Sequence, residues 1–551
     1  MINQDSVPPG RNIVFQPGVD WWQKRLLITA VITVIMLVIF SGIDDTPLTN
    51  STETRVAGIA TQMYLDQDYV VPKLNGQPFL EKPPLYSWLT VVSYKIFGIS
   101  YWSSRLPSAL AAIGLLILLS VQMRARKYPI AVQLVSILTL VTMAEFWSYS
   151  RTASQDMVLA FGVALSLLSL YRYLDSDHYR YLVPSAVGIA IAAMAKGVFG
   201  ISVIIMVVLP YFLLSNRDKD RGHWLKQFFA LGVAFSCGLI PLAIWLWFLY
   251  AQAGWDAFYT VTWVNSVGRF LGQYQHGGHV EAWYYYLARV PVLFEPWLPI
   301  VFVGVWYLVK EGKLSGYRLL LICWLFAPIF LLSLSSSKRE VYLLSIYPSA
   351  CLLITDAVNR FYRIGERTLS MQHARLPRHA LSFQLFLSTI LLAGVFYLAL
   401  FKWQAGLYTI TVAAISALAL FAAVFYRVKA DVGRALAWSL ASICLLFIVY
   451  GGVLDPNEGK ARSYEAVFDN AVFSDANAEI GLYRPQERTS GAAVYYLRRV
   501  VKQLDTPEEL AVFMRQYPDH VVISEDKELL KLPGDIQKIS VSSDTMYVLT
   551  R

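Results

Sequence analysis

The stretch DDTPLTNSTETRVAGIATQMYLDQDYVVPKLNGQPFLEKPP, residues 44–84, is the first long polar loop between hydrophobic segments, and it decides how the chain is organised. Near its start stands Asn50-Ser51-Thr52-Glu53-Thr54-Arg55, and it ends with Glu81-Lys82-Pro83-Pro84. Between these motifs, apolar residues recur at the spacing of a helix face, at Val56, Ile59, Ala60, Met63 and Tyr64. The pattern predicts a short amphipathic helix, with Asn50 as its N-cap and Glu53 placed to close a capping box.

The second motif opens another amphipathic helix, with Pro83 in its first turn. Its apolar face is formed by Leu85, Trp88, Leu89, Val92 and Ile96. Two helices lying in the membrane surface would bring a carboxylate, a guanidinium and an ammonium group to one place. That grouping suits an anionic substrate carried on a lipid.

The composition indicates a polytopic membrane protein. Hydrophobic residues make up 56% of the 551 residues and charged residues only 15%, whereas about a quarter are charged in soluble proteins. The net charge of +9 does not predict a nucleic-acid partner, because the basic residues fall mostly in short loops; anionic membrane lipid is the expected partner.

The first hydrophobic segment, 26–43, lacks a small-residue cleavage site, and we interpret it as an uncleaved anchor. All four cysteines lie in hydrophobic segments, which argues against disulfides and a cysteine-based zinc site.

The hydrophobic segments predict about thirteen membrane-spanning helices of roughly 20 residues each. Their expected positions are 26–43, 104–123, 129–147, 153–173, 181–195, 198–215, 227–251, 291–309, 318–335, 341–357, 381–401, 405–426 and 435–453. Alternate loops are rich in Arg and Lys and should face the cytoplasm, which places the loop 44–103 and the tail outside.

We therefore predict a transmembrane domain over 1–453, with its catalytic motifs in the loop 44–103, and a periplasmic α/β domain over 454–551. The tail shows strand patterns at 479–483, 520–524 and 545–549, and helix patterns at 491–503 and after Thr506.

Glu53, Arg55 and Lys82 are the first candidates for chemistry. Lys82 precedes a helix N-terminus, where backbone N–H groups and a cation together form an anion site. Each residue also has an ordinary alternative: Glu53 only caps its helix, Arg55 binds lipid headgroups, and Lys82 is an exposed interfacial lysine.

Asp156 is a further candidate because it stands at the outer mouth of a predicted span, in RTASQDM at 151–157. An ionisable residue at such a position is a functional hypothesis, and a simple interfacial acid is the alternative. Arg151 flanks the same helix start, which favours function. Lys196, between two short spans, is a weaker candidate that could snorkel outward.

Two other outward loops carry polar candidates. The loop 252–290 contains Arg269 and many aromatic residues typical of an interfacial belt, and its His276 and His279 are a weak metal signal without a third ligand. The segment after Ser335 supplies the cation Lys338, followed by Tyr342 and Tyr347. Together, the outward cationic motifs fit one phosphate-containing substrate better than several.

At these residues the chain resembles a known family, the aminoarabinose transferase and protein mannosyltransferase group of the GT-C fold. Its closest subgroup is bacterial and resembles the lipid A aminoarabinose transferase. The matching segments are TETRVAGIA (52–60), VPKLNGQPFLEKPPL (71–85), SRLPSAL (104–110), RTASQDM (151–157) and KREVYLLSIYP (338–348). Thirteen spans followed by a periplasmic α/β domain also agree with that subgroup.

The resemblance implies an enzyme of the bacterial inner membrane that transfers a sugar, aminoarabinose or a related one, with inversion. The donor would be a polyprenyl-monophosphate sugar and the acceptor lipid A, lipopolysaccharide or another periplasmic molecule. Lys82 and Arg55 would hold the donor phosphate. The pocket would be shaped by Glu81, Asp156, Tyr342 and Tyr347, with Arg269 as a further contact.

One departure from the family pattern leaves the catalytic base open. The family usually has Asp immediately before the Glu of the first motif, and often another two residues earlier, where this chain has Thr52 and Asn50. Neither can act as a base at neutral pH. Either Glu53 or Asp156 takes the role, or the protein is altered in substrate or activity; we predict Glu53, with Asp156 positioning Arg55 or the acceptor.

The absence of acids at positions 50 and 52 also affects whether a metal cofactor is expected. Glu53 and Asp156 could hold a divalent cation against the donor phosphate. The missing acids at positions 50 and 52 lower the ligand count, however, and Lys82 with Arg55 supplies positive charge. We expect no cofactor and an activity that survives chelation.

Two other functions stay open at the level of sequence. A transporter or flippase of a lipid-linked sugar would share the membrane fold and the phosphate-binding cations. A transporter commonly has a mid-membrane site and internal repeats, whereas here the ionisable residues crowd the outer surface and no repeat is visible. The other possibility is a non-catalytic scaffold, because Asn50 and Thr52 replace the acids that the family usually has at these positions.

Overall fold

The computed structural model describes residues 21–217, 219–268, 281–310, 316–335, 338–365, 375–402, 406–429, 431–468, 479–541 and 544–550. Within these ranges the chain forms a helical bundle and one mixed sheet near the C-terminus. Of the two amphipathic helices of the first loop, the first packs on the C-terminal region and the second packs on the bundle.

Helices occupy all thirteen predicted positions, with α2 and α3 in the first loop. Two of the positions, at α5–α6 and α11–α12, are filled by pairs of shorter helices. The helices are α1 (Trp21–Phe40), α2 (Ser51–Asp66), α3 (Leu85–Phe97), α4 (Tyr101–Ala125), α5 (Ile130–Val141), α6 (Ala144–Ser150), α7 (Gln155–Ser176), α8 (Leu182–Lys196), α9 (Val198–Ser215), α10 (Arg221–Tyr259), α11 (Tyr285–Leu293), α12 (Leu298–Lys310), α13 (Gly316–Ser333), α14 (Tyr347–Gly365), α15 (Arg375–Tyr397), α16 (Leu407–Val428) and α17 (Val432–Val449).

Among the described residues, ten helical segments are long and apolar enough to cross a membrane, and twelve if each bent pair is one span. The bent pairs are α5–α6, which meet at 75°, and α11–α12, which meet at 109°. The thirteenth position is α8, whose 15 residues are short for a bilayer. As predicted, α8 and α9 are separate helices, because Gly197 between them adopts a positive φ of 57°.

Small residues let the helices pack closely, as is common where lipid supplies little drive for association. The crossing of α7 and α8 is an example: a Cβ added at Gly188 would lie 2.5 Å from the backbone nitrogen of Ser166. The same helices carry candidate site residues at their ends, so this close crossing holds the site as well as the bundle.

The first loop folds as two helices joined by a small hairpin. The hairpin pairs β1 (Lys73–Leu74) with β2 (Gln77–Pro78) through a turn at Asn75 and Gly76, both with positive φ. The loop helix α3 then leads directly into α4. We call the end of the bundle that carries α2 and α3 the site end.

The C-terminal sheet has the strand order β4-β3-β5-β7-β6. Strand β3 pairs in parallel with β4 and β5, and β7 pairs antiparallel with β5 and β6. Helix α20 covers one face and α21 the other, so the central strand β5 is buried at every position. After α17 the elements are α18 (Asp455–Ala461), α19 (Glu465–Phe468), β3 (Glu479–Tyr483), α20 (Glu487–Leu497), β4 (Lys502–Leu504), α21 (Pro507–Gln516), β5 (His520–Ser524), β6 (Asp535–Val541) and β7 (Asp544–Thr550).

The α/β character of the tail is confirmed, including the strands at 479–483, 520–524 and 545–549. The helix predicted over 491–503 is shifted: α20 ends at Leu497, and Lys502–Leu504 forms β4 beside β3. The domain boundary at 453/454 stays a prediction, since helical structure continues from α17 through 450–454 to α18 (Asp455–Ala461).

Candidate active site

Helix α2 begins as predicted, but the Glu53 side chain has a different partner. The Asn50 side chain accepts hydrogen bonds from the backbone N–H groups of Thr52 (3.0 Å) and Glu53 (2.8 Å). Instead of closing the predicted capping box, the Glu53 carboxylate accepts two bonds from the Arg105 guanidinium (2.8 and 3.0 Å) and one from the backbone N–H of Ala153 (2.9 Å). The carboxylate is buried, and this geometry satisfies its charge.

Arg105, on α4, is a residue that the sequence analysis quoted in a motif without assigning it a role. Its guanidinium also donates to three backbone carbonyls of the first loop, those of Ile43 (2.7 Å), Thr46 (2.6 Å) and Pro47 (3.1 Å). Arg105 therefore fastens the start of the loop and α2 to the membrane bundle. In the sequence, this role of Arg105 is indicated only by the position of a single arginine close to the start of a largely apolar helix.

Arg55 and Lys82 lie together in a cleft between α2, the segment before α3, and the start of α7. We call it the cationic cleft; its lining includes Arg55, Phe79, Lys82 and Gln155. The Arg55 guanidinium lies over the Phe79 ring, 5.3 Å from its centroid. The Glu81 carboxylate is 3.9 Å from both Arg55 Nη1 and Lys82 Nζ. The structure thus brings these three predicted site residues together.

The electrostatics of the cleft disfavour the charge on Lys82. Loss of solvent, together with repulsion from Arg55 and Lys196, lowers the pKa of the Lys82 ammonium to about 7. Attraction from Glu81 and Asp156 offsets part of this shift. A bound anion would favour the ammonium form of Lys82, so the cleft is suited to a further negative group.

Asp156 and Lys196 form a buried ion pair next to the cleft. The Lys196 ammonium contacts Asp156 Oδ1, and the Ser154 hydroxyl donates to Asp156 Oδ2. The ammonium also lies over the Tyr342 ring, 4.8 Å from its centroid. The expectation that Lys196 snorkels outward is therefore wrong, because its side chain is only 6% exposed. Lys196 pairs with the carboxylate of Asp156, which lies 40 positions earlier in the chain. Local sequence patterns do not reveal a pairing over that distance.

Two other predicted residues, Tyr347 and Lys338, lie apart from this group. Tyr347 is buried in the bundle, where its hydroxyl donates to the carbonyl of Leu293. The Lys338 ammonium donates to the carbonyls of Glu281 (2.9 Å) and Ser335. Arg269 lies outside the described residues, as do the histidines of the same loop.

The C-terminal domain reaches into the cleft, which the sequence analysis did not anticipate. Glu487, at the start of α20, places its carboxylate 2.6 Å from Arg55 Nη1. Helix α20 packs so closely on α2 that a Cβ at Gly491 would lie 2.5 Å from the carbonyl oxygen of Thr54. One of the two cations of the cleft is thus partly neutralised by a residue 432 positions away.

The described residues include no group of three His, Cys, Asp or Glu side chains that could hold a metal ion. Glu53 and Asp156, the pair considered from sequence, are each engaged by a basic side chain, Arg105 and Lys196.

The chain is similar to proteins of known activity. Residues 81–264 match the family model described as dolichyl-phosphate-mannose-protein mannosyltransferase. The undecaprenyl phosphate-alpha-4-amino-4-deoxy-L-arabinose arabinosyl transferase of Pseudomonas aeruginosa is 27% identical over 346 residues, 60% of each chain. An enzyme of the same name from Pseudomonas fluorescens is 26% identical over 334 residues, 58% of this chain and 54% of the relative. The matches thus span less than two thirds of the length of these relatives.

Solved structures extend the likeness to nearly the whole chain. ArnT from Cupriavidus metallidurans, bound to undecaprenyl phosphate, superposes with a TM-score of 0.72 at 18% identity and covers 95% of this chain and 97% of its own. A likeness of this kind shows the fold. The chain is therefore a polytopic membrane protein with the fold of ArnT, and it resembles the GT-C glycosyltransferases of the aminoarabinose transferase and protein mannosyltransferase group.

Proposed function

We propose that the protein is an integral membrane glycosyltransferase with a polyprenyl-monophosphate sugar as donor. The observation that carries the proposal is the cationic cleft, in which Arg55 and Lys82 lie within electrostatic reach of the Asp156–Lys196 pair. Sugar transfer from such a donor requires positive groups that bind the phosphate and a carboxylate that accepts the proton of the acceptor hydroxyl. The cleft and the adjacent ion pair provide both.

The chemistry of the donor explains the cations. As the bond between the anomeric carbon and the phosphate oxygen breaks, negative charge builds on the departing polyprenyl monophosphate. Preorganised positive groups stabilise that charge and lower the barrier. Lys82 serves this role best, since its ammonium is poorly stabilised in the free protein and gains a partner when the phosphate binds.

We assign the base to Asp156 and a positioning role to Glu53, which reverses the preference drawn from sequence. The buried Glu53 carboxylate already accepts three hydrogen bonds, two from the Arg105 guanidinium and one from the Ala153 N–H, and through them it holds the first loop on α4. Asp156 interacts with Lys82 across the cleft and is held by Lys196. When the donor phosphate enters, Lys196 can turn to it and free the carboxylate.

The reaction is then one displacement with inversion. The acceptor oxygen forms a bond to the anomeric carbon while the bond to the phosphate oxygen breaks. The acceptor proton passes to Asp156, and the phosphate leaves as a polyprenyl monophosphate against Arg55 and Lys82.

The names of the relatives support the proposed donor. The similar enzymes are named for undecaprenyl phosphate and 4-amino-4-deoxy-L-arabinose, which supports a donor that carries aminoarabinose or a related sugar. The proposed acceptor is lipid A, lipopolysaccharide or another periplasmic molecule. The location that fits is the bacterial inner membrane, with the cleft and the C-terminal sheet in the periplasm, as the loop charges predict.

Purified protein in nanodiscs, incubated with radiolabelled polyprenyl-phosphate sugars and lipid A, tests the proposal. We expect label in the acceptor, and a rate about 10²-fold lower for Lys82→Ala, comparable to losing one preorganised electrostatic donor. Lys95→Ala is the matched control, because this exposed lysine lies on α3 beside Tyr69 instead of in the cleft. Retention of all label on the donor, across several sugars, would count against the proposal.

A further inference from the structure

A second polar pocket lies at the end of the bundle away from the site end. It is bordered by the C-terminal end of α4 and by α7, α12, α13 and α14. Asp156 begins α7, and Tyr171, fifteen residues further along the same helix, lines the pocket. The rise of a helix separates the two by about 22 Å. The pocket is therefore distinct from the cationic cleft.

The pocket is large enough for a small ligand group and is strongly basic. Its volume is about 430 Å³, within the range of small-molecule sites. Its lining contains three arginines and one carboxylate: Arg126, Arg318, Arg360 and Asp356. The Tyr128 hydroxyl donates to Asp356, so the single carboxylate is already engaged. Among the described residues that line the pocket, arginines outnumber carboxylates by three to one.

Tyrosines orient one of these arginines toward the cavity. The Arg126 guanidinium lies over the Tyr317 ring, 3.1 Å from its centroid, and donates from Nη2 to the Tyr171 hydroxyl at 3.0 Å. Stacking of this kind fixes the plane of the guanidinium and leaves its other N–H groups directed outward from the ring.

Two buried polar atoms at this place have no hydrogen-bond partner among the described residues: Arg126 Nε and the Tyr317 hydroxyl. Tyr317 is only 7% exposed. Buried polar groups in folded proteins are almost always satisfied, and an unmade bond there costs more than an exposed one. An acceptor entering the pocket would satisfy both atoms.

We propose that this basic pocket binds the phosphate group of an anionic phospholipid headgroup. Planar guanidinium groups match phosphate oxygens through paired N–H donors, and tyrosine hydroxyls add neutral donors. The pocket lies at the C-terminal end of α4, beside a loop with Arg124 and Lys127. The loop charges predict that this loop faces the cytoplasm at the membrane surface, where lipid headgroups lie. Basic pockets between membrane helices are suited to phosphate headgroups for this reason.

Binding to the full-length, delipidated protein tests the proposal. Native mass spectrometry and thermal unfolding would compare phosphatidylglycerol, phosphatidylcholine and inorganic phosphate. We expect phosphatidylglycerol to bind and raise the Tm, and phosphatidylcholine and inorganic phosphate to do so at least about 10-fold more weakly. Equal binding of the two lipids would overturn the proposal; a Tm rise with inorganic phosphate that phosphatidylglycerol does not reproduce would overturn the lipid source.

Two variants keep the test specific to the pocket. Arg126→Gln should weaken phosphatidylglycerol binding about 10-fold or more, as expected for a lost charge-assisted hydrogen bond. Tyr317→Phe removes only a hydroxyl, so it remains informative if Arg126→Gln fails to fold, and it should weaken binding several-fold. Arg515→Gln removes the same charge from an exposed position on α21, away from the pocket, so it is the control and should bind as the wild type does. Unchanged binding by Tyr317→Phe and Arg126→Gln would contradict the proposal.

Discussion

At the scale of single residues, Lys82 carries most of the chemistry that we assign to the cationic cleft. Its ammonium is the cation whose charged form is most disfavoured by its surroundings. The proposed donor supplies the missing negative charge, so binding and protonation are coupled at this residue.

The first prediction concerns pH. Because the pKa of Lys82 is lowered to about 7, the folded protein loses this proton as pH rises through 7, whereas the unfolded chain keeps it to about 10.4. The charged form that binds phosphate is thus present below pH 7 and is lost above it. We expect kcat/KM for the donor to fall above pH 7, while kcat falls only at higher pH, because the bound phosphate raises the pKa.

Lys82→Arg is the control for this prediction, since a guanidinium stays charged throughout the range. Its kcat/KM should be flat where that of the wild type falls. The same fall in both proteins would assign the titration to another group. The lowered pKa also implies, in the free protein, a folding stability that rises with pH between 7 and 10.

The second prediction separates Glu53 from Asp156. Asp156→Asn removes the proposed base and should lower kcat by about 10²–10⁴-fold. Glu53→Gln weakens a buried ion pair with Arg105 and should lower the free energy of unfolding by about 3 kcal/mol, with kcat per folded molecule largely kept. Thermal unfolding and initial rates of the two purified variants check this. A stable but inactive Glu53→Gln beside an active Asp156→Asn would return the base to Glu53.

The third prediction concerns metal dependence. Arg55 and Lys82 supply the positive charge that a divalent cation would otherwise bring to the phosphate. We expect the transfer rate to be unchanged by EDTA. A complete loss of activity, restored by Mg²⁺ or Mn²⁺, would show that the proposed roles of the two side chains are incomplete.

At the scale of elements, the contact between α2 and α20 joins the C-terminal domain to the site. The Asn75 side chain adds to it, since it donates to the carbonyl of Val501 (2.9 Å) and accepts from the Val501 N–H (2.8 Å). The Glu487 carboxylate at the start of α20 contacts Arg55. The position of the domain therefore affects a cation of the cleft.

The fourth prediction tests this contact. Gly491→Val places a side chain where even a Cβ would lie 2.5–2.8 Å from the backbone of Thr54 and Arg55, so α20 must move away from α2. Overpacking of this kind costs about 1–3 kcal/mol. We expect faster proteolysis of the segment that links α17 to the sheet, and a changed KM for the donor.

Gly394→Ala on α15 is the matched control, because open space surrounds that position. It should be cleaved as the wild type is. Normal protection and an unchanged KM in Gly491→Val would show that the domain does not act through this contact.

Local patterns predicted the elements well where the signal lies within a few residues. The N-cap at Asn50 and the helix after Thr506 are confirmed, because each depends on side chains within one turn. The end of α20 was missed since it depends on a distant strand: Lys502–Leu504 pairs with β3, and Arg498 adopts a left-handed φ of 55° before it.

At the scale of the whole molecule, hydrophobic segments of about 20 residues predicted the bundle, because a bilayer fixes the length of a spanning helix. The partners of buried charges were not predictable. Arg151 was expected beside Asp156, yet it donates to the carbonyls of Ser41 (2.7 Å) and Gly451 (3.1 Å). These bonds connect the end of α1 to the end of α17. Such pairings depend on how the helices pack, which sequence spacing does not encode.

The central claim is that the cationic cleft transfers sugar from a lipid-phosphate donor and does not move the donor across the membrane. The most direct measurement uses proteoliposomes with donor in one leaflet, and follows polyprenyl monophosphate by phosphorus NMR as lipid A is added. We predict monophosphate in equal amount to the glycosylated acceptor, with formation dependent on the acceptor and about 10²-fold slower in Lys82→Ala. Donor that crosses to the other leaflet intact, with no monophosphate formed, would contradict the account.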